Sequence, residues 1–427
     1  MKKVGVAILG LGTVGGGTYR IITEHREFYQ KTQDIDLTVE CVLELNKDRI
    51  AALGIPQEKV AGNIAEVVSN PNVDIVVEVI GGIGVARAFV TAALSAGKSV
   101  VTSNKELIAK YSYELEKIAR RRNCGLYYEA SCVGGVPIIR TLLDGLQANC
   151  IRSMMGIVNG TTNYILDKMS NEGASYDDVL KKAQSLGYAE LDPTADVEGY
   201  DSTYKLSILS SMAFHTKIPY TKIYREGITG ITKEDIAYGK ELGYVIKLLA
   251  IGKNTPAGIE VRVHPTYIRA NHPLASVNDS FNAVFITGDA VDDVMLYGRG
   301  AGALPTGSAI VSDVIFAATH ADIKYSTFKN TANADKETTF VTDFSSAYYL
   351  RLTVSDKVGV LGKISSIFAR RGVSIKEMIQ KDETAEGKAT LIFVTHATKE
   401  MAIKTAVSRI AALDDVAKVE SVIRVEA

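Results

Sequence analysis

The densest group of ionisable side chains lies within residues 187–206, GYAELDPTADVEGYDSTYKL. Pro193 and Gly199 predict a loop followed by a helix, in which Asp201 and Lys205 share one face because they are four residues apart. A surface ion pair at this spacing contributes only about 0.3–0.5 kcal/mol. The alternative is a lysine, positioned by the aspartate, that stabilises and protonates a carbonyl oxygen as hydride reaches the carbon. Five carboxylates within twelve residues favour this catalytic interpretation.

Two further polar residues could take part in such a reaction. Glu190, in the same group, could bind the amino group of a substrate. Lys105 follows the apolar segment Ser99–Thr102, and active sites of open α/β sheets lie at the carboxyl ends of strands. There Lys105 could hold a carboxylate or polarise a carbonyl group. A surface lysine at the start of a helix is an equally good interpretation of the local sequence.

A glycine-rich turn follows the first apolar segment, VGVAILG, and has the spacing GxGxxG at Gly10, Gly12 and Gly15. The first glycine permits a tight turn, the second lets a pyrophosphate approach the backbone, and the third allows close packing of the helix on the strand. Free N–H groups at the start of the helix can bind phosphate. Between a strand and a helix, the motif predicts dinucleotide binding over a plain glycine turn.

The residue after the second apolar segment bears on which dinucleotide is bound. Glu44 stands near the place where such folds contact the ribose 2′ position. A carboxylate there accepts a hydrogen bond from a 2′-hydroxyl and repels a 2′-phosphate, which favours NAD. Lys47 and Arg49 lie close enough in the sequence to leave NADP open.

The segment EASCVGGVP, residues 129–137, predicts an irregular backbone whose carbonyl groups need partners. A plain turn is the simpler interpretation, and a bound cation is the other. Cys132 within it could be imagined as a nucleophile. No histidine lies near it in the sequence, so a small buried hydrophobic residue is the default.

The elements that must position these residues change in character along the chain. Up to about position 130, five short apolar strands alternate with helical segments, which predicts βαβ units and a parallel sheet. Residues 151–300 combine long helical patterns with later strands and predict an α+β unit. Residues 328–344 are polar and aperiodic, as in a linker. The C-terminal segment, 348–427, predicts the order βαββαβ, which is the ferredoxin-like arrangement.

Composition excludes several classes of function. The chain has 427 residues and a net charge of −1, so it lacks the basic excess of a nucleic-acid-binding protein. No apolar run reaches the roughly 18 residues needed to span a bilayer. Four cysteines without a CxxC pair argue against a disulfide framework or a zinc site. The N-terminal segment reads as a first strand and not as a signal peptide, which predicts a cytoplasmic protein.

Taken together, these segments resemble the homoserine dehydrogenase family over essentially the whole chain. The matching motifs occur in family order and are GLGTVG, TSNK (102–105), EASCVGGVPI (129–138), GIVNGTTNYIL (156–166), GYAELDPTADVEGYDSTYKL (187–206) and GRGAGALPTGSA (298–309). The C-terminal segment, 348–427, resembles an ACT domain, whose effector-binding turn would be residues 356–361.

The resemblance implies NAD(P)-dependent interconversion of L-aspartate 4-semialdehyde and L-homoserine. Lys205 would donate the proton, Lys105 would be the second essential lysine, and Asp201 and Glu190 would contact the substrate. The cofactor would be NAD or NADP. The residues lining it would be Gly10, Gly12, Thr13, Val14, Gly15, Glu44, Ser103, Lys105 and Gly302. A sodium ion would be held by the main-chain carbonyls of Glu129, Cys132, Gly134 and Val136.

The same resemblance implies a domain organisation and a set of partners. It implies an NAD(P)-binding Rossmann domain at 1–135, to which 306–328 return. A substrate-binding, catalytic and dimerisation domain follows at 136–305, then a linker at 329–347 and a regulatory ACT domain at 348–427. Threonine is the expected effector, and a homodimer or homotetramer the expected assembly, with no nucleic-acid or membrane partner. The alternatives are a catalytically silent nucleotide-sensing regulator and a semialdehyde dehydrogenase that uses Cys132.

Overall fold

The fold is described from a computed structural model, which covers residues 1–320, 322–325, 337–381 and 387–426. Its strands are β1 (Lys2–Leu9), β2 (Ile35–Leu43), β3 (Ile75–Glu78), β4 (Ser99–Thr102), β5 (Leu126–Tyr127), β6 (Ile151–Ile157), β7 (Tyr224–Arg225), β8 (Tyr244–Thr255), β9 (Gly258–Arg269), β10 (Phe281–Gly288), β11 (Asp293–Arg299), β12 (Ser345–Ser355), β13 (Ile375–Lys381), β14 (Lys388–Thr395), β15 (Thr398–Lys399) and β16 (Val416–Val425). Residues 329–336 of the expected linker lie outside the described residues.

The helices alternate with the strands in the first third of the chain and are longer and more varied beyond it. They are α1 (Thr13–Glu24), α2 (Arg26–Gln33), α3 (Lys47–Ala52), α4 (Ile64–Ser69), α5 (Gly84–Ser95), α6 (Lys105–Arg121), α7 (Ile138–Arg140), α8 (Gly160–Glu172), α9 (Tyr176–Ser185), α10 (Thr194–Val197), α11 (Tyr200–Ala213), α12 (Lys233–Glu241), α13 (Ala303–Thr319), α14 (Val360–Arg370) and α15 (Glu400–Ile410). In the described part of the chain, no helix combines the length and apolar character needed to cross a membrane.

The chain divides into two compact units. The first contains Met1–Gly160, Asp201–Ile223 and Phe281–Thr338, and the second contains Thr161–Tyr200, Tyr224–Ser280 and Thr339–Ala427. The units are interleaved in the sequence, so their limits differ from the domain boundaries expected at residues 135, 305 and 347. Those boundaries stay predictions.

In the first unit, five parallel strands form a sheet in the order β2-β1-β3-β4-β5. Strand β1 is buried from Val4 to Leu9, and β3 is buried throughout, as expected of parallel strands covered on both faces. The parallel sheet predicted from the alternating pattern is confirmed. The same unit contains the antiparallel strands β6, β10 and β11, with β10 in the middle.

Helix α13 packs against α1 of this unit, although the two helices are far apart in the sequence. They approach closely because Gly17 has no side chain. A Cβ at that position would lie 2.2 Å from the carbonyl oxygen of Ala303. Helix α13 therefore packs within the first unit, while the return of residues 306–328 to the Rossmann domain stays a prediction.

In the second unit, β8 and β9 form a long antiparallel hairpin, and β16 pairs with β9 in parallel through Arg424 and Val425. Strands β16, β12, β14 and β13 then continue in this order, with α14 and α15 packed together. The βαββαβ arrangement predicted for the C-terminal segment is confirmed. Its core is apolar and includes Leu350, Ile364 and Phe393.

Candidate active site

The glycine-rich loop connects β1 to α1 and meets three different geometric demands. Gly10 has φ +93°, a left-handed conformation, and its N–H donates to the carbonyl oxygen of Leu43 at 2.9 Å. A Cβ at Gly15 would lie 2.0 Å from the carbonyl oxygen of Gly10, so only glycine allows α1 to begin this close to β1. A Cβ at Gly12 would find its nearest neighbour, Arg49, 3.8 Å away, which leaves space over the loop.

Other residues expected to line a cofactor lie around this loop. Thr13 and Val14 begin α1 directly after Gly12. Gly302, with φ +122°, precedes α13, whose first residue contacts α1 at Gly17. The start of α13 therefore lies beside the second turn of α1 in this unit. The backbone N–H groups of a first helical turn have no partner within the helix and suit a phosphate.

A cavity of about 380 Å³ adjoins the loop. Its lining is mainly apolar and comprises Gly10, Gly12, Leu43, Glu44, Leu45, Arg49, Gly62, Asn63, Ile64, Val79, Ile80, Val85 and Phe89. Its size and apolar walls suit the adenine nucleoside part of a dinucleotide.

The Glu44 carboxylate forms one polar wall of this cavity and accepts three backbone hydrogen bonds. Oε2 accepts from the N–H of Leu11 at 2.6 Å, and Oε1 accepts from Leu45 and Asn46 at 2.9 Å. Burial alone would raise the pKa of Glu44, but these N–H groups and the nearby Arg49 guanidinium lower the pKa below its usual value. Glu44 is thus a fixed negative charge between the glycine loop and the end of β2.

At the carboxyl ends of β3 and β4, a small polar network orders the chain before α6. The buried Glu78 carboxylate accepts from the Thr102 hydroxyl at 2.6 Å, and the Asn104 N–H donates to the Thr102 hydroxyl at 3.0 Å. Asn104 then caps α6 by accepting from the N–H of Leu107. Ser103 and Lys105 lie on either side of Asn104, so this network fixes the backbone positions of both residues.

The central feature of the site is the buried carboxylate of Asp201, which binds both lysines. Lys205 Nζ donates to Asp201 Oδ2 at 2.7 Å, and Lys105 Nζ lies 2.9 Å from Oδ1. Asp201 is 5% exposed, the Lys205 side chain 11% and the Lys105 side chain 42%. Burial by itself would raise the pKa of Asp201. The charges of the two lysines outweigh that effect and hold the pKa well below its usual range.

Two groups that the sequence analysis did not assign complete this cluster. The Asn159 side chain donates to Asp201 Oδ2 at 2.9 Å, and the carbonyl oxygen of Val158 accepts from Lys205 Nζ at 2.7 Å. Both residues belong to the GIVNGTTNYIL motif, which carried the family resemblance without any role being attached to a residue. An ammonium group has three N–H donors. Among the described residues, two acceptors bind N–H groups of Lys205 Nζ, and the third N–H can donate to a substrate oxygen.

Cys132 lies close to this cluster but is unsuited to act as a nucleophile. The residue is fully buried, and burial raises the pKa of its thiol to about 12. Its Sγ is 3.9 Å from the carbonyl oxygen of Lys205. A thiolate is the reactive form of cysteine, so this environment argues against a thioester mechanism.

The loop that contains Cys132 has an unusual backbone. Val133 and Gly134 are consecutive left-handed residues, with φ +57° and +52°, and a β-branched residue rarely adopts this conformation. The Glu129 carboxylate anchors the loop by accepting from the N–H groups of Ile139 at 2.8 Å and Arg140 at 2.7 Å. Burial raises the pKa of this carboxyl to about 8.

A cation at this loop would depend on backbone oxygens, because the described residues contain no group of three or more His, Cys, Asp or Glu side chains that could hold a metal. Of the four carbonyls expected to bind sodium, that of Glu129 accepts from the N–H of Cys132 and that of Val136 from Ile138. Each carbonyl oxygen has a second lone pair. A buried, irregular segment whose carbonyl oxygens can act as ligands therefore fits a hard cation.

Glu190 belongs to the second unit, between α9 and α10, and its side chain is exposed. Its backbone carbonyl accepts a hydrogen bond from the Gln184 side chain at 3.0 Å. Its expected contact with the substrate stays a prediction.

A glycine-rich loop between a strand and a helix and a buried lysine–aspartate cluster lie in the same unit, an arrangement that suits a nicotinamide-dependent oxidoreductase, and the chain is of this class. Family models for the homoserine dehydrogenase NAD-binding domain, homoserine dehydrogenase and the ACT domain match residues 10–129, 137–315 and 348–415. Homoserine dehydrogenase from Neisseria gonorrhoeae is 41% identical over 433 residues, covering 100% of this chain and 99% of that protein.

Solved structures agree with this match. A crystal structure of a homoserine dehydrogenase from Thiobacillus denitrificans has a TM-score of 0.94 and 41% identity, covering 100% of this chain and 99% of that one. A hyperthermophilic archaeal homoserine dehydrogenase in complex with NADPH has a TM-score of 0.61 and 28% identity, covering 74% of this chain and 97% of that one.

The chain belongs to the homoserine dehydrogenase family. It is an NAD(P)-dependent oxidoreductase that interconverts L-aspartate 4-semialdehyde and L-homoserine, and it carries a C-terminal ACT domain. The full-length match to enzymes favours this function over the silent regulator and the cysteine-dependent dehydrogenase considered from the sequence.

Proposed function

We propose that Lys205 is the general acid that protonates the aldehyde oxygen of L-aspartate 4-semialdehyde. The observation that carries this proposal is the position of Lys205 Nζ, which donates to Asp201 and Val158 and has a third N–H for the substrate. When bound, the nicotinamide cofactor supplies the hydride that reduces the aldehyde carbon. Lys205 Nζ then gives its proton to the oxygen, and in the reverse direction it takes the proton from the homoserine hydroxyl.

The other residues hold this donor and the substrate in place. Asp201 balances the charge of both ammonium groups, and its lowered pKa keeps the carboxylate ionised at neutral pH. Asn159 orients the carboxylate by donating to Oδ2. Lys105, the more exposed of the two lysines, binds a polar group of the substrate, and Glu190 binds its amino group. Steady-state turnover of the Lys205→Met variant tests the role of Lys205 and is developed in the Discussion.

We infer that Gly10, Gly12, Thr13, Val14, Gly15, Ser103, Lys105 and Gly302 line the cofactor and that Glu44 favours NAD over NADP. The carboxylate is ionised and held by three N–H groups, so it presents a negative charge that would repel a 2′-phosphate. Arg49, whose Nη1 is 3.7 Å from Glu44 Oε2, would offset part of that repulsion.

The expected result for Glu44→Gln is a shift of at least about tenfold towards NADP in the ratio of kcat/KM values for the two cofactors, since about 1.4 kcal/mol of charge repulsion disappears. The matched control is Glu40→Gln, a carboxylate of β2, the strand that precedes Glu44, and its partner is the Thr38 hydroxyl. It should leave the ratio unchanged. A wild-type enzyme that strongly prefers NADP would contradict the role assigned to Glu44.

We also infer that the carbonyls of Glu129, Cys132, Gly134 and Val136 bind a sodium ion, which would stabilise the buried loop without any side-chain ligand. Thermal unfolding and kcat in sodium chloride and potassium chloride at equal ionic strength test this. A ligand that binds only the folded state raises the unfolding temperature with its concentration. Identical unfolding temperatures and rates in the two salts would exclude a sodium-specific site.

The ACT domain suggests an amino-acid ligand, and we infer that threonine binds at residues 356–361. This turn contains the fully exposed Val358 and also Gly359, which has φ +93° and immediately precedes α14. Steady-state rates with and without threonine test the effector, and sedimentation tests the proposed homodimer or homotetramer. Cell fractionation tests the proposed cytoplasmic location.

A further inference from the structure

Helices α6 and α11, which carry Lys105 and Lys205, are joined by a second contact in addition to the one between Lys105 and Asp201. Glu106 follows Lys105 in α6, and Tyr204 precedes Lys205 in α11. The Tyr204 hydroxyl donates to Glu106 Oε1 at 3.3 Å. Each partner of this contact is therefore the sequence neighbour of one lysine.

Two other side chains support this contact. Lys110 Nζ donates to Glu106 Oε1 at 2.6 Å and lies 5.4 Å from the centroid of the Tyr204 ring. The ring of Tyr220 packs edge-on against Tyr204, with 5.3 Å between centroids, and is 5.5 Å from Lys110 Nζ. We call Glu106, Lys110, Tyr204 and Tyr220 the α6–α11 clamp.

The clamp has a geometric consequence for Asp201. A single link between two helix ends, such as Lys105 to Asp201, leaves each helix free to rotate about that link. A second link restricts the rotation to the axis that passes through both links. Tyr204 is three residues after Asp201, so the two links lie about one helical turn apart along α11, while on α6 they start from the adjacent residues Lys105 and Glu106.

We propose that the Tyr204–Glu106 contact positions Lys105 and Lys205 on Asp201 for catalysis. Tyr204 and Glu106 are positioning residues, since their contacts are with each other and with Lys110 and Tyr220. This proposal rests on the proposed roles of Lys105 and Lys205. Loss of the Tyr204 hydroxyl would let α6 and α11 shift, and displacements of about 1 Å in an active site can cost up to 10²-fold in rate.

The variant Tyr204→Phe removes the hydroxyl and keeps the ring that packs on Lys110 and Tyr220. The expected result is a fall in kcat of between about 5- and 100-fold, with little change in KM for the cofactor. The pH profile of kcat should be displaced, because the proton donor no longer sits in the same charge environment. Glu106→Gln keeps an acceptor for Tyr204 and should retain most of kcat, whereas Glu106→Ala should behave like Tyr204→Phe.

A second tyrosine–glutamate contact on α6 serves as the matched control. The Tyr128 hydroxyl donates to Glu116 Oε1, also at 3.3 Å, three turns along α6 from Lys105. Tyr128→Phe should leave kcat and its pH profile unchanged. If Tyr204→Phe and Tyr128→Phe both alter only the unfolding temperature, the contact is structural and the proposal is overturned.

The clamp and the proposed function fail in different ways. A Tyr204→Phe enzyme with normal kcat, beside an inactive Lys205→Met enzyme, overturns the clamp alone. A Lys205→Met enzyme with near-normal kcat overturns the acid role of Lys205, and the clamp proposal with it. If Tyr204→Phe and Glu106→Ala each lower kcat and the double variant is no worse than either, the two side chains act through one contact, as proposed.

Discussion

Replacing Lys205 with methionine should lower kcat by about 10³-fold or more while cofactor affinity stays close to that of the unaltered enzyme. General acid catalysis contributes about 10²–10⁴-fold, and loss of a positive charge at a developing alkoxide adds to the effect. Methionine fills a similar volume, so the packing of α11 is preserved. The measurements are steady-state kcat with homoserine and cofactor binding by fluorescence titration.

The matched control removes a half-buried lysine outside the site. Lys98 immediately precedes β4 and donates to the carbonyl oxygens of Asn70 and Val73, at the end of the strand opposite to Lys105. Lys98→Met should affect the unfolding temperature and leave kcat unchanged. Loss of cofactor affinity with a normal kcat in Lys205→Met would contradict the acid role, because the residue would then be serving cofactor binding.

Adding one methyl group at each of three neighbouring glycines should have three different effects. Gly15→Ala places a Cβ 2.0 Å from the Gly10 carbonyl oxygen, so it should destabilise the first unit by about 3 kcal/mol or more. Gly12→Ala should fold normally, because its Cβ has no neighbour closer than 3.8 Å. It should nevertheless weaken cofactor binding by about 10- to 100-fold, as expected when one hydrogen bond to a charged phosphate is lost.

Gly16→Ala is the control of this series. Its Cβ would have neighbours only at 3.9 Å, and alanine is favoured over glycine inside a helix by about 1 kcal/mol. This variant should be at least as stable as the unaltered enzyme and bind the cofactor equally well. Thermal unfolding without cofactor separates Gly15→Ala from the other two, and cofactor titration separates Gly12→Ala from Gly16→Ala. Unchanged affinity in Gly12→Ala would contradict the assignment of this loop to the pyrophosphate.

Local patterns predicted the parts of the site that are local in the chain. Asp201 and Lys205 are one helical turn apart, so their contact needs only the helix, and the pair is found as expected. The strand–glycine–helix pattern likewise predicted the loop after β1, because its demands on Gly10 and Gly15 arise within a few residues.

The second unit contains two features that sequence patterns missed. Strand β8 was not predicted, because an apolar run of this length suits either a buried helix or a strand, and its pairing with β9 decides the outcome. The parallel pairing of β16 with β9 was also missed, and it joins the ACT strands to the β8–β9 hairpin in one sheet. Strand pairing depends on segments that are distant in the chain, so neither composition nor periodicity reports it.

The sequence by itself therefore determined the family, the fold class and the identity of the ionisable residues, since motif order, periodicity and helical spacing are properties of neighbouring residues. Only the tertiary structure decided that Lys105 shares Asp201 with Lys205 from a distant part of the chain, that Val158 and Asn159 complete the cluster, and that Tyr204 contacts Glu106. The physical reason is burial. A carboxylate removed from water must find partners wherever packing brings donors within about 3 Å, whatever their distance along the chain.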